Sequence, residues 1–472
     1  MILPLFVLAV ALTGDAPAAP PADAGEAGHV TVPGTLEGRP AADEVSTLQA
    51  RIDAAAPGDT IEVGPGTYHG DLLIDRPLRL IAVGRPLLIG SGRGSVVRIR
   101  AADVTLEGFD IDGQGGGDLG RDTSGIHISG ARTTVRGCRI FNSIFGIYLR
   151  QADGAAVVGC QVRGIPGRQP GEKGSGIHVW NTKGFRLERN DISDVRDGLY
   201  VQSSSGGTIV GNVARDLRYG LHYMYSDDNL FEDNTFENGA AGTAIMYSRR
   251  IVFRRNRFLR NRGFASVGLL LKACDSVLAE DNLIADNARG IFLEGSNDNV
   301  IRRNVVAASD MAIVLYDSCA GNRVTGNSFV GNMTPLFLVG RRTDTLFEGN
   351  YWSDNDEPDL DGDGRSDRPY RLSNIFDHFR GNLIAADLFA QGPAASAIAA
   401  AERSFPVLQA IPVEDRTPLA RPPLLADVPA ARPEARLADP RTVAGSLLLC
   451  AAGAAVMLLG GRRRAVPSGG VL

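Results

Sequence analysis

The sequence predicts an all-β fold, a right-handed parallel β-helix of about 13 coils, and three observations carry that prediction. A small residue followed by an apolar, any, apolar triplet recurs ten times, at Gly125, Gly146, Gly176, Gly198, Gly220, Ala244, Gly268, Gly290, Ala312 and Pro335. Most steps between these openers are 22 to 24 residues, the length of one solenoid turn that buries its apolar side only against its neighbours. The third observation is a column of Asn190, Asn212, Asn234, Asn256, Asn282, Asn304, Asn327 and Asn350, each 12 to 15 residues after its opener. At the strand spacing of about 4.8 Å an inward column of this kind forms an amide ladder. An exposed Asn at each turn gives the same spacing and remains open.

Taken from the N-terminus, residues 1–24 contain an apolar run and a small-residue site at Ala16-Pro17-Ala18, the pattern of a signal peptide, although no Lys or Arg precedes the run. A β-helix domain is expected over 40–380. Ser46 to Ala56 reads as an amphipathic cap helix, with Ser46 at the N-cap and Leu48, Ile52 and Ala55 on one face; a solenoid needs its first apolar coil covered. About three less regular coils then precede Gly125. The insertion Gly164 to Gly174 lengthens one coil and should project as a loop. Cys138 and Cys160 fall in the Asn column in the two coils before Asn190. A buried pair of thiols, a disulfide and a metal site are the three readings, in that order. Cys274 and Cys319 fall in turns with no readable partner.

After the coils, 381–410 is Ala-rich with apolar residues at helical spacing and reads as a helical segment. Seven prolines between 411 and 442 read as an extended tether that builds no core. Residues 443–461 carry no charge and precede Arg462, Arg463 and Arg464, so they read as a transmembrane helix with a cytoplasmic tail, leaving the coils in the periplasm. The formal net charge of -5 with 44% hydrophobic residues gives no nucleic-acid footprint.

Two groups of side chains carry candidate chemistry. The residue between the two apolar positions of each triplet points outward, which predicts an outer column of His127, Tyr148, His178, Tyr200, His222, Met246, Leu270, Phe292, Val314 and Phe337. Met224 lies two residues beyond His222 on the same face. Imidazoles and thioethers without a carboxylate form a soft donor set suited to Cu(I), so His127, His178, His222, Met224 and Met246 are candidate copper ligands; a structural ladder of polar and aromatic rings is the alternative. The apolar end of the column, Leu270 to Phe337, would suit a protein interface or the C-terminal helices. The second group is Asp359, Asp361, Asp363 and Asp367 in DLDGDGRSD. Its one-three-five-nine spacing matches a Ca²⁺ loop, with Gly364 at the turn, the Arg365 carbonyl as a further ligand and Tyr370 where an EF-hand has Glu; a loop rich in Asx turns is the alternative.

The stretch GNYWSDNDEPDLDGDGRSDRPY (Gly349 to Tyr370), with the PGDTIEVGPGTYHG opening and AERSFPVL near Phe405, resembles the NosD family of periplasmic copper-maturation proteins of nitrous oxide reductase. The resemblance spans about residues 40 to 410 and implies partnership with the subunits of an ABC transporter and with a copper chaperone, in loading copper into nitrous oxide reductase. It implies no catalysis. The membrane anchor departs from a family whose members are usually free in the periplasm. Two other classes are weighed: a β-helix polysaccharide lyase or epimerase, which needs a cation and a base at the substrate, and a scaffold solenoid without chemistry.

Overall fold

The computed structural model describes residues 45–372, apart from 264 and 341, and residues 413–423. The predicted signal peptide (1–24), the helical segment 381–410 and the membrane helix 443–461 lie outside them. Among the described residues no helix is long and apolar enough to cross a membrane.

Each coil contributes one strand to each of three sheets, and every consecutive coil pairs in parallel. Sheet A begins at Thr60–Val63, sheet B at Thr67–His69 and sheet C at Leu72–Ile74. Sheet B holds 13 strands and sheet C 12, so the predicted solenoid of about thirteen turns is the fold. The chain forms short strands because each turn bends sharply at left-handed residues such as Asp194, Asp216 and Asp233, which the Asn and Asp side chains tolerate. Inside, Ile, Leu, Val and Phe from all three sheets form one continuous core. Stacking like on like extends to rings: Phe231 and Phe253 lie 4.8 Å apart and Phe236 and Phe258 5.7 Å.

The helix α1 (Val45–Ala54) covers the first coil. Leu48 and Ile52 are buried and Ala55 packs against the core, as their spacing predicts. Ser46 lies inside this helix rather than at its N-cap.

The Asn column faces inward. The Nδ2 of Asn190 donates to Oδ1 of Asn212 at 2.9 Å, Asn212 to Asn234 at 2.9 Å, Asn234 to Asn256 at 2.9 Å, and the series continues to Asn350. Each oxygen also accepts the backbone N–H of the Asn before it. Cys160 precedes the ladder, its N–H donating to Oδ1 of Asn190 at 2.9 Å. Cys138 and Cys160 are buried free thiols, the first of the three readings. Cys274 and Cys319 occupy a second ladder that the sequence reading missed. It runs through Thr182, Ser204, Ser226 and Ser248, with Ser296 between the two cysteines, and each side chain accepts the backbone N–H of the rung before.

Two further expectations need correction. The openers are held small by contact: a Cβ on Gly198 would lie 2.6 Å from the carbonyl oxygen of Gly220, and one on Gly220 2.7 Å from that of Gly242. The sixth opener is therefore Gly242, not Ala244. The second correction concerns the tether predicted over 411–442. Its described part, 413–423, docks on the end of the solenoid, where Glu414–Asp415 adds a strand to sheet A beside Leu346–Glu348. Asp415 is fully buried and closes the Asn ladder, its Oδ2 accepting from Asn350 N at 2.8 Å, Asn350 Nδ2 at 2.9 Å and Trp352 Nε1 at 3.2 Å. A last Asn with no rung above it has unsatisfied donors, and a carboxylate fills that need.

Candidate functional site

The outer face of sheet C carries the candidate column, and the register fixes its members. His127 pairs with Tyr148, Tyr148 with His178, His178 with Tyr200 and Tyr200 with His222. His222 then pairs with Ala244, and Met224 with Met246. Met246 is thus not in the histidine column, as the sequence reading had it, but in the neighbouring outward column behind Met224. Beyond Ala244 the column continues through Leu270, Phe292, Val314 and Phe337 as expected.

The three histidines do not form one cluster. A Tyr ring separates each pair, so neighbouring imidazoles stand two rungs, about 10 Å, apart. His178 is stacked between Tyr148 and Tyr200, with ring centroids 4.3 and 4.4 Å away. Two insertions at the turn entering sheet C cover this part of the face. Leu119 from the first and Ile165 from the second pack with Trp180 against Ile144, Phe145 and Tyr148, and Arg168 Nη2 donates to Gly115 O at 3.2 Å to tie the loops together. The loop Gly164 to Gly174 therefore folds back over the face as half of a roof rather than standing free. Under the roof, burial lowers the His127 pKa and pushes His178 down to about 3, and it raises Tyr148 to about 12. The Nδ1 of His178 is buried without a partner.

His222 differs. Its Nδ1 lies 3.2 Å from Oδ2 of Asp197, and no protein group bonds its Nε2 among the described residues. Asp197 opens the strand one rung earlier and is fully buried. Burial opposes its ionisation, but hydrogen bonds from His222 and Arg218 outweigh that and hold the carboxyl below its ordinary value. Arg218 grips both carboxylate oxygens, at 2.8 and 2.6 Å. Neither Asp197 nor Arg218 was found by sequence reasoning, since Asp197, the first residue of its strand, and Arg218, the last residue before the next, both lie outside the repeated triplet.

Met224 and Met246, both half-buried, stand on consecutive rungs beside His222. Outward neighbours along a strand or across a diagonal lie about 7 Å apart, close enough for one soft ion to draw in an imidazole and two flexible thioethers. The adjoining turn places Tyr225 and Tyr247 in a stack at 5.1 Å, both rings exposed. Both adopt positive φ, 49° and 52°, an uncommon conformation for so bulky a residue.

The aspartate loop lies past the last coil. Oxygens of Asp359, Asp361 and Asp363 come within 4.8 Å of one another, whereas Asp367 turns to the backbone, accepting from Leu360 N at 2.7 Å. Asp359 accepts from Gly362 N and Gly364 N, Asp361 from Asp363 N, and Asp363 from Arg365 N. Tyr370 serves the core end instead, stacking on Trp352 at 5.0 Å and donating to Asp354 at 2.8 Å.

Comparison with known proteins places this geometry in a family. The model of the family described as periplasmic copper-binding protein (NosD) matches residues 163–357. The probable ABC transporter binding protein NosD of Stutzerimonas stutzeri is 35% identical over 378 residues, 76% of this chain and 86% of that protein. The chain belongs to the NosD family. The NosD of Pseudomonas aeruginosa, also described as a probable ABC transporter binding protein, is 36% identical over 400 residues, 81% of this chain and 92% of that protein. The NosD match takes in His178, His222, Met224 and Met246 and stops before the aspartate loop. A model of right-handed β-helix regions matches residues 89–229. Among solved structures, the A-module of mannuronan C-5 epimerase AlgE4 from Azotobacter vinelandii aligns with TM-score 0.55 at 16% identity, covering 64% of this chain and 95% of that one; at that identity the likeness concerns the fold.

Proposed function

We propose that this NosD-family chain is a non-catalytic, periplasmic accessory protein that receives Cu(I) from a copper chaperone and, associated with the subunits of an ABC transporter, passes it toward nitrous oxide reductase. The observation that carries the proposal is the donor set on sheet C beyond the two loops: the unbonded Nε2 of His222 beside Met224 and Met246 on consecutive rungs. Imidazole with thioethers suits Cu(I), and the ion is cargo here, so a partly exposed site serves both loading and release. His127 and His178, packed beneath the roof, are left out of the site. About thirteen coils at strand spacing give a body about 60 Å long, enough to reach from a membrane complex to a soluble enzyme, and the apolar stretch 443–461 is read as the anchor that keeps it beside the transporter.

Competition titration of the full chain against a chromophoric Cu(I) chelator tests this. Replacing His222 by Ala, or Met224 and Met246 together by Ala, should weaken Cu(I) binding at least about tenfold, ~1.4 kcal/mol. Equal affinity in the wild type and these variants would move the site elsewhere. The Ca²⁺ reading of Asp359, Asp361, Asp363 and Asp367 is kept as a weak structural site, because most of their oxygens already serve backbone amides.

A further inference from the structure

Resting on the copper reading, we propose that Asp197, clamped by Arg218, is the positioning residue that prepares His222 as a ligand: its carboxylate accepts the Nδ1–H hydrogen bond of the neutral imidazole, which keeps the proton on Nδ1 and leaves the Nε2 lone pair as the donor to the ion. Asp197 has no exposed surface, yet its carboxylate is charged and its partners are Arg218 at 2.8 and 2.6 Å, Arg196 at 3.5 Å and His222 at 3.2 Å. Burying a carboxylate costs more than an apolar residue of the same volume would, so packing alone gives no reason for Asp here. The positions paired with it are Ser175 on the rung before and Tyr219 on the rung after; neither carries a charge.

His178 and His222, two of the three histidines of this column, show what the carboxylate adds. His178 has no anion on its ring nitrogens and its Nδ1 is buried without a partner, whereas the His222 ring is oriented by a fixed acceptor. Arg218 in turn lies over Tyr219, its guanidinium carbon 4.4 Å from the ring centroid, so the clamp on Asp197 is itself fixed on one rung with His222. A carboxylate that receives one ring N–H makes the other nitrogen the ligand, and removing such an orienting partner typically weakens metal binding 10- to 100-fold. Free neutral histidine has no such constraint and either nitrogen can carry the proton.

The test is Asp197→Asn in the full-length protein. Arg218 can hold only the amide oxygen, which turns the NH₂ group toward Nδ1, moves the proton to Nε2 and blocks the donor. Long-range ¹H–¹⁵N correlation spectra, with the His222 signals assigned from their loss in His222→Gln, should show the Nδ1–H tautomer in the wild type and Nε2–H in the variant. Cu(I) affinity against a chelator should drop 10- to 100-fold in Asp197→Asn. A wild-type His222 carrying its proton on Nε2 would overturn the proposal even if the variant fails to fold. Cu(I) binding that depends on His222 but is equal in wild type and folded Asp197→Asn would overturn it while leaving the copper reading intact. Cu(I) binding unaffected by His222→Ala would remove both.

Discussion

His178 and His222 occupy the same column of the same sheet, two rungs apart, and their chemistry is opposite. The first is sandwiched between Tyr148 and Tyr200 beneath two loops, uncharged, with a buried nitrogen that bonds nothing. The second meets Tyr200 edge-on at 4.6 Å, gives one nitrogen to a buried carboxylate and keeps the other unbonded. Strand geometry is the same in both places, so the difference comes from what the turns deliver. Insertions at 113–122 and 164–174 supply apolar cover to the early rungs, and Asp197 and Arg218, where turn meets strand, supply charge to the later ones. In a solenoid the sheets set where a side chain stands, and the turns set what it can do.

If that division is right, damage to the shared interior must affect both regions alike. Asn234 makes four side-chain bonds, accepting from Asn212 N and Nδ2 and donating to Ile209 O and Asn256 Oδ1. Asn234→Ala leaves those buried partners unsatisfied and should cost about 4 kcal/mol in chemical denaturation, the largest effect expected here. A loss under about 1 kcal/mol would mean the ladder is not a structural element.

The contrast sharpens with pH. His178 ionises at about 3 in the fold against 6.5 when unfolded, so between those values the unfolded chain binds the extra proton. Stability should therefore fall as the pH falls from about 6.5, by up to about 1.4 kcal/mol per pH unit. His127, lowered by burial as well, adds to the same slope. Glu280 contributes only lower down. Burial opposes its ionisation, but Arg254 and Arg302 hold it at about 2 against an ordinary 4.5, and its stabilisation, full above 4.5, is lost as the pH falls toward 2. The interval from 4.5 to 6.5 thus isolates the roofed histidines. His178→Phe should flatten the slope there and leave Cu(I) affinity unchanged; an unaltered slope, or weakened Cu(I) binding, would erase the distinction between the two regions.

The smallest effect is expected at the aspartate loop. Millimolar Ca²⁺ should raise the melting temperature by about a degree, an effect of under ~1 kcal/mol, and Asp361→Asn should abolish the shift. A Tm indifferent to Ca²⁺ and to chelator would leave the carboxylates as Asx-turn acceptors alone.

The interior of this protein was readable because each of its rules is short-range and repeated. Asn190 to Asn350 signal a ladder by position, and the glycine openers signal close rung contact. Even so, the sequence placed the sixth opener at Ala244 and so put Met246 into the histidine column. Both Gly242 and Ala244 are small, and a slip of two residues keeps every side chain on its own face, so alternation of apolar and polar residues does not detect it. Only the approach of Gly242 to the Gly220 rung fixes the phase. The docking of Asp415 was unreadable for a different reason: its partner Asn350 lies 65 residues away, and the prolines on either side of Asp415 suggest a tether.

By itself, then, the sequence determined the solenoid, its period, the inward amides and the outward placement of His127, His178, His222 and Met224, because stacking at one rung spacing repeats a local rule along the whole chain. The tertiary structure alone decided which histidines are covered, that Met246 stands behind Met224, and that Asp197 and Arg218 hold His222. Those outcomes depend on side chains from different rungs and turns meeting across more than twenty residues of sequence, where no periodic signal says which atoms will touch.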